Sequence, residues 1–187
     1  MNTQSLKHTI ALAAVAALAA CADGSTPPSA PVRPSAAEAS LSRSGGAHER
    51  SRELARVVAT LKRATARYHN LENAKRDGFV FLHGCEVRGD EGPVGTVYVQ
   101  PERLMDGKID PTEPDALIYR PGSNGRLFLV GAELAVPYTL WTQPGPPTFH
   151  GATFQREDEF GVYGLHAWVW LQNPEGLFAE TNPKVSC

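Results

Sequence analysis

Residues 162–171 read VYGLHAWVWL and carry the strongest strand signal in the chain. Aromatic and β-branched residues favour extended backbone, and alternate side chains of a strand point to opposite faces of a sheet. One predicted face carries Leu165, Ala167, Val169 and Leu171, and the other carries His166, Trp168 and Trp170. The pattern therefore places a histidine beside two tryptophans in the middle of an apolar strand.

Four stretches upstream also predict strands. They are residues 79–82, which we expect to be buried, and residues 95–99, 116–119 and 127–136. The last two flank the sequence Pro121-Gly122-Ser123-Asn124-Gly125, whose turn-forming residues predict a hairpin.

Two helices are predicted ahead of these strands. Residues 50–68 carry apolar residues at three- and four-residue steps, which is typical of a helix with one buried stripe. Asn70 suits the N-cap of a short second helix over residues 71–76. Helices followed by strands with short turns indicate an α+β fold, in which the N-terminal helix packs on a curved, mainly antiparallel sheet or partial barrel.

Length and charge limit the classes of function. The chain has 187 residues, 42% of them hydrophobic, and a formal net charge of -2. That length suits one domain with appendages, and the charge gives no reason to expect nucleic-acid binding. No apolar run reaches the roughly 18 residues of a membrane-spanning helix.

The N-terminus has the pattern of a secretory signal, in which Lys7 precedes an apolar run over residues 10–20. The run closes with Leu18-Ala19-Ala20-Cys21, which resembles the lipobox of bacterial lipoproteins. The resemblance implies a signal peptide over residues 1–20, lipidation of Cys21 and anchoring in a membrane of the cell envelope. An ordinary signal cleaved after Ala19 or Ala22 is the alternative, and it would release the protein from the membrane.

The residue after Cys21 refines the predicted location. It is Ala22 rather than Asp, so the lipoprotein resemblance implies the periplasmic side of the outer membrane in a Gram-negative host. Residues 22–48 are rich in Pro, Ser and Ala, which is typical of a disordered tether. Together these features predict a signal peptide (1–20), a lipidated cysteine with its tether (21–48) and one domain (49–187).

Two cysteines remain once Cys21 is assigned to lipid. In an exported domain, Cys85 and Cys187 are expected to pair, which would fix the C-terminus to the first part of the sheet. A metal site is the competing interpretation, but cysteine ligands usually show a close C-x-x-C spacing, which is missing here.

The C-terminal sequence resembles a bacterial family of exported proteins that ends LHxWxWxxNPxGxF and then NPxVxC. Residues 165–178 and 182–187 match this ending. Tyr68-His69, the segment from Gly95 to Val99 and residues 130–133 are also similar to the family. The resemblance implies a shared fold and names no substrate. Because the family's histidine position on the Gly95 strand is Val97 here, we expect neither a metal nor a cofactor.

Polar residues inside apolar strands are the candidates for a functional site. His166 and Glu133 interrupt the two strongest strands, and we expect both to point into one pocket. The other candidate pocket residues are Tyr98, Trp168, Trp170, His69 and His150. The alternative is that both polar residues are hydrogen-bonded members of the core.

Three classes of function follow. The first is an envelope lipoprotein that binds a small molecule in a pocket lined by aromatic residues, His and Glu. The second is an envelope enzyme that uses His166 and Glu133 as acid and base or as metal ligands. The third is a structural module that docks a protein partner. The sequence contains no G-x-S-x-G, H-E-x-x-H or Walker A motif that would assign catalytic residues.

Overall fold

The computed structural model describes residues 36–88 and 92–187, with side chains from Gly46 onward. The predicted signal peptide, Cys21 and the first part of the predicted tether lie outside these residues. In the described ranges, no helix combines the length and apolarity needed to cross a membrane.

The first helix, α1, runs over Ala36–Thr65 and starts well before the predicted residue 50. Ala36, Ala37 and Ala39 supply the residue type with the highest helix propensity, so the helix extends into the segment predicted as tether. A 3-10 turn over Ala66–His69 continues α1. The second helix, α2, covers Leu71–Arg76, and the Asn70 side chain accepts a hydrogen bond from the Glu72 N–H, which confirms the predicted cap.

The strands form one antiparallel sheet of six in the order β1-β2-β3-β4-β8-β7, curled into a half-barrel. Its strands are β1 (Val80–Arg88), β2 (Gly92–Val99), β3 (Ala116–Pro121), β4 (Leu127–Pro137), β7 (Gln155–Glu157) and β8 (Val162–Ala167). A short helix α3 (Pro101–Leu104) and a small hairpin of β5 (Thr148–Phe149) and β6 (Ala152–Thr153) complete the fold. The predicted α+β arrangement is confirmed.

Two strand predictions differ in detail. The expected buried run at residues 79–82 is buried only at Phe79, and Val80 and Phe81 are 50% and 59% exposed. The reason is that β1 is an edge strand of the sheet. The strand at residue 162 ends at Ala167, because the chain turns there and Trp168 donates its backbone N–H to the Leu177 carbonyl.

The two faces of the sheet pack against different partners. On one face, Val57 and Leu61 of α1 contact a cluster that includes Leu134 and Leu165. On the other face, inside the curl, the core is built from small and β-branched residues together with one tryptophan. These are Val94, Val97, Ala116, Ile118, Val130, Trp168 and Val185.

A disulfide joins Cys85 in β1 to Cys187, the last residue, as predicted. The C-terminal segment also bonds to the sheet through the backbone, since the Asn182 N–H donates to the Pro93 carbonyl. The disulfide and this hydrogen bond hold the segment after β8 across the inner face of the curl.

Candidate functional site

Three polar side chains meet on the inner face of the curl. Glu133 of β4 pairs in register with His166 of β8, and Glu157 of β7 pairs with Val162 of the same β8 strand. His166 Nε2 lies 3.9 Å from Glu133 Oε2 and 4.0 Å from Glu157 Oε1. The three side chains are almost fully buried, with exposed fractions of 2%, 7% and 7% for His166, Glu133 and Glu157. We call them the Glu–Glu–His centre.

A glycine creates the space in which the two carboxylates lie. Gly164 sits between Ala135 and Gln155 in the sheet, on the same face as His166. A Cβ at this position would lie 2.6 Å from Glu133 Oε1 and closer still to Glu157 Oε1. Both separations are below those of real Cβ contacts, so any other residue at this position would force the ends of the two glutamate side chains to move.

A contact with a backbone carbonyl fixes the orientation of the His166 ring. Its Nδ1 lies 2.6 Å from the backbone carbonyl oxygen of Glu180. A carbonyl oxygen only accepts, so Nδ1 carries the proton and donates it. In the neutral ring, Nε2 therefore presents a lone pair to the two carboxylates.

Arg88 connects the centre to the surface. Its guanidinium lies 3.7 Å from Glu157 Oε2, donates to Glu86 over 3.0 Å and also donates to Glu180. Among the described residues, these contacts place three carboxylates around one guanidinium, and Glu133 adds a fourth carboxylate to the same region without contacting Arg88. The centre therefore carries an excess of negative charge whenever its carboxylates are ionised.

One oxygen of the centre lacks a hydrogen-bond partner among the described residues. Glu157 Oε1 is buried and makes no hydrogen bond with any described residue. Burial first, and then the charge of the neighbouring Glu157, raises the pKa of Glu133 well above its ordinary value. Unpaired buried carboxylates are costly, so this arrangement favours a bound proton or cation.

A cavity of about 160 Å³ adjoins the two carboxylates. Asp115 is the third acid on its wall; it accepts a hydrogen bond from the Ala135 N–H, and burial raises its pKa to about 7. The rest of the wall is apolar and consists of Leu82, Val99, Leu104, Ala116, Ala135, Phe160 and Val162. The cavity thus combines an apolar wall with a floor of carboxyl groups.

Of the residues predicted from the sequence, Glu133 and His166 lie side by side, but only Glu133 lines the cavity, so the prediction of one pocket shared by both is not met. Trp168 stands beside His166, with ring centroids 5.8 Å apart, but its indole N–H donates to the Ala179 carbonyl. Trp170 lies elsewhere, because its indole N–H donates to Thr65 Oγ1 at the end of α1.

The remaining predicted pocket residues also lie away from the centre. His69 packs edge-on against Trp170 at 4.4 Å, and His150 Nδ1 lies 3.3 Å from Glu53 of α1. Tyr98 packs against Tyr119. None of the predicted aromatic residues or these histidines lines the cavity, whose walls are mainly aliphatic.

Sequence reasoning missed Glu157, Asp115 and Arg88. Glu157 belongs to a strand of only three residues, too short to show alternation, and Asp115 lies in a turn-rich acidic segment. Gly164 was the available signal, because a glycine inside a strong strand often marks a close approach.

The donor atoms of the centre could hold a metal ion. One oxygen of Glu133, one of Glu157 and one ring nitrogen of His166 all lie within 4.8 Å of one another. The same atoms could instead share protons, since adjacent carboxylates rarely ionise together. The centre can therefore act as a cation site or as an acid–base group.

Comparison of the chain with protein-family models, with curated proteins and with solved structures finds no match.

Proposed function

We propose that this protein is a lipid-anchored envelope protein whose domain binds a small cation at the Glu–Glu–His centre and the adjoining cavity. The observation that carries the proposal is the buried Glu157 Oε1, which faces a histidine nitrogen and has no hydrogen-bond partner among the described residues. A bound cation would satisfy this oxygen and offset the desolvation of Glu133.

The anchor is supported by the sequence. The apolar run that ends in Leu18-Ala19-Ala20-Cys21 suits lipidation, and the disulfide suits an oxidising compartment such as the periplasm. More than one acyl chain is needed for stable membrane attachment, and lipoprotein processing supplies two or three. The domain would then bind its ligand at the membrane surface.

The dimensions of the cavity indicate the size of the ligand. Its volume is about 160 Å³, and a cavity of about 150 Å³ accommodates a molecule the size of benzene. A metal ion or a small amine would contact the carboxyl floor, and any apolar part would contact side chains such as Val99 and Phe160.

Native mass spectrometry of the protein purified from its own host tests the proposal. We expect one retained cation or small cationic ligand per chain, and its loss in a Glu133→Gln variant, whose side chain has nearly the same shape. Gln in place of the exposed Glu175 is the matched control and should leave the ligand bound. A ligand-free protein whose thermal unfolding responds to neither metal ions nor small amines would contradict the proposal.

A second candidate is an envelope enzyme that uses the centre for proton transfer. His166 Nε2 lies within 4.0 Å of both carboxylates, and Glu133 and Glu157 also border the cavity. A substrate in the cavity could exchange a proton with either carboxylate, with His166 behind them. Conversion of the co-purified ligand by wild-type protein, but not by Glu133→Gln, would favour the enzyme over the binding protein.

A further inference from the structure

We infer that Glu133, Glu157 and His166 bind one divalent transition-metal ion, through one oxygen of each carboxylate and through Nε2 of His166. The inference rests on the proposed cation-binding function and names the class of cation. It assigns a role to the unpaired oxygen of Glu157 and to the glycine at position 164.

The donor set selects the type of cation. Mg²⁺ and Ca²⁺ prefer sites made only of oxygen, whereas Zn²⁺, Mn²⁺ and Fe²⁺ accept a mixture of imidazole and carboxylate. Because Nδ1 donates to the Glu180 carbonyl, it is Nε2 that faces the two carboxylates, and in the neutral ring it offers them a lone pair that a metal can use. Metal-binding histidines usually donate the N–H of their other ring nitrogen to a carbonyl or carboxylate, as His166 does here.

The absence of a side chain at Gly164 leaves space for an ion between the two carboxylates. Glu133 and Glu157 come from strands on either side of β8, and Gly164 of β8 lies between them without a Cβ that would separate the two carboxylates. A metal about 2.1 Å from each donor brings neighbouring donors to about 3.4 Å in a tetrahedral site. The observed separations from Nε2 are 3.9 and 4.0 Å, and all three donors lie within 4.8 Å of one another, so binding requires the side chains to close in by about 0.5–1.4 Å.

Charge and access are consistent with the same site. Arg88 lies beside Glu157 Oε2 and leaves Oε1 facing His166. Three protein ligands leave a fourth position open, as in catalytic rather than structural metal sites. Glu133 and Glu157 also line the cavity, so a water or small ligand on the ion would be held there.

Calorimetric titration of the EDTA-stripped, full-length host protein with Zn²⁺ and with Mn²⁺ tests the inference. We expect one site per chain in the wild type and an affinity at least about 100-fold lower in Glu157→Gln and His166→Gln. His83→Gln is the matched control, because His83 Nδ1 also lies 3.8 Å from a carboxylate, that of Glu86, but outside the centre. It should change the affinity by less than about twofold.

The stability of the metal-free Glu157→Gln variant adds a readout that a purely structural glutamate would not give. The new amide can donate to Glu133 or to His166, and one buried charge is removed, so the midpoint of thermal unfolding should stay level or rise. Loss of Zn²⁺ binding together with unchanged or higher stability supports the inference. A marked drop in the stability of the metal-free variant identifies Glu157 as a structural residue and overturns it.

The wild-type titration also decides the matter without any variant. The inference is overturned if Zn²⁺ and Mn²⁺, up to millimolar concentration, produce no heat of binding and no thermal shift. Unchanged binding in both variants also overturns it. If methylammonium binds the wild type and the metal ions do not, the metal assignment fails and the proposed cation-binding function stands. If none of these cations binds, both fail.

Discussion

Gly164→Ala is the most informative single substitution, because it fills the space of the centre without removing a donor. The added Cβ would lie 2.6 Å from Glu133 Oε1, whereas ordinary contacts begin at 3.4 Å, so this oxygen must retreat by about 0.8 Å. The nearer Glu157 Oε1 must move further. Both oxygens are the ends of flexible side chains, but the two side chains are only 7% exposed, so the surrounding packing limits where they can move.

The cost can be estimated from the contacts. Overpacking of a tight interior by one methyl group typically costs about 1–3 kcal/mol. For a domain of about 140 residues this lowers the unfolding midpoint by about 4–10 °C. Because the added methyl group occupies the space in which the two carboxylate oxygens lie, the affinity for Zn²⁺ should also fall by about tenfold or more.

Gly84→Ala is the matched control. Gly84 also lies in a strand, and a Cβ there would meet nothing within 4 Å. The substitution should be neutral or stabilise by about 0.4–1 kcal/mol through the unfolded chain. Differential scanning calorimetry measures the unfolding midpoint of both variants with and without Zn²⁺. Equal stability and equal Zn²⁺ affinity of the two variants would refute the proposed packing of the carboxylates over Gly164.

Three further predictions concern one acid on the cavity wall and two contacts that stabilise the fold. The pKa of Asp115 is raised from 3.8 to about 7, so the proton that Asp115 holds in the folded state stabilises the fold at low pH. As the pH rises from about 4 to 7, the free energy of unfolding should fall by at most about 4 kcal/mol. Asp115→Asn should remove that part of the pH dependence in urea unfolding, and an unchanged profile would contradict the shift. Reduction of the Cys85–Cys187 bond, which spans 102 residues, should destabilise by up to about 4.7 kcal/mol in chemical denaturation, and an unchanged midpoint would count against it. Tyr119→Phe removes a buried 2.8 Å hydrogen bond to the Tyr68 carbonyl and should cost about 1–3 kcal/mol in the same assay, whereas no loss would show that the bond is dispensable.

The fold was largely predictable because its strands carry clear local signals. The strand from residue 162 and the hairpin partner from residue 127 are long and apolar, and the Asn70 cap has a specific residue type at a specific place. The start of α1 was not predicted, because the alanines of the segment were counted with its prolines and serines as a tether, although alanine also has the highest helix propensity. The exposure of Phe81 depends on which strand forms the edge, a property of the whole sheet.

The candidate site was only half predictable. Glu133 and His166 were found because each interrupts an apolar strand, and their pairing follows from the β4–β8 register. Glu157 reaches them from β7, and a strand of three residues has no local pattern that predicts its pairing with β8. Trp170 follows the end of β8, so alternation along an assumed longer strand placed it wrongly beside His166.

Anomalous diffraction from crystals of the protein loaded with Zn²⁺, recorded on both sides of the zinc absorption edge, is the most direct test of the account. It predicts one strong peak among Nε2 of His166 and the carboxylates of Glu133 and Glu157, about 2.0–2.2 Å from each donor atom. A well-ordered centre without a peak, or a peak only at a surface pair such as Glu53 and His150, would contradict it.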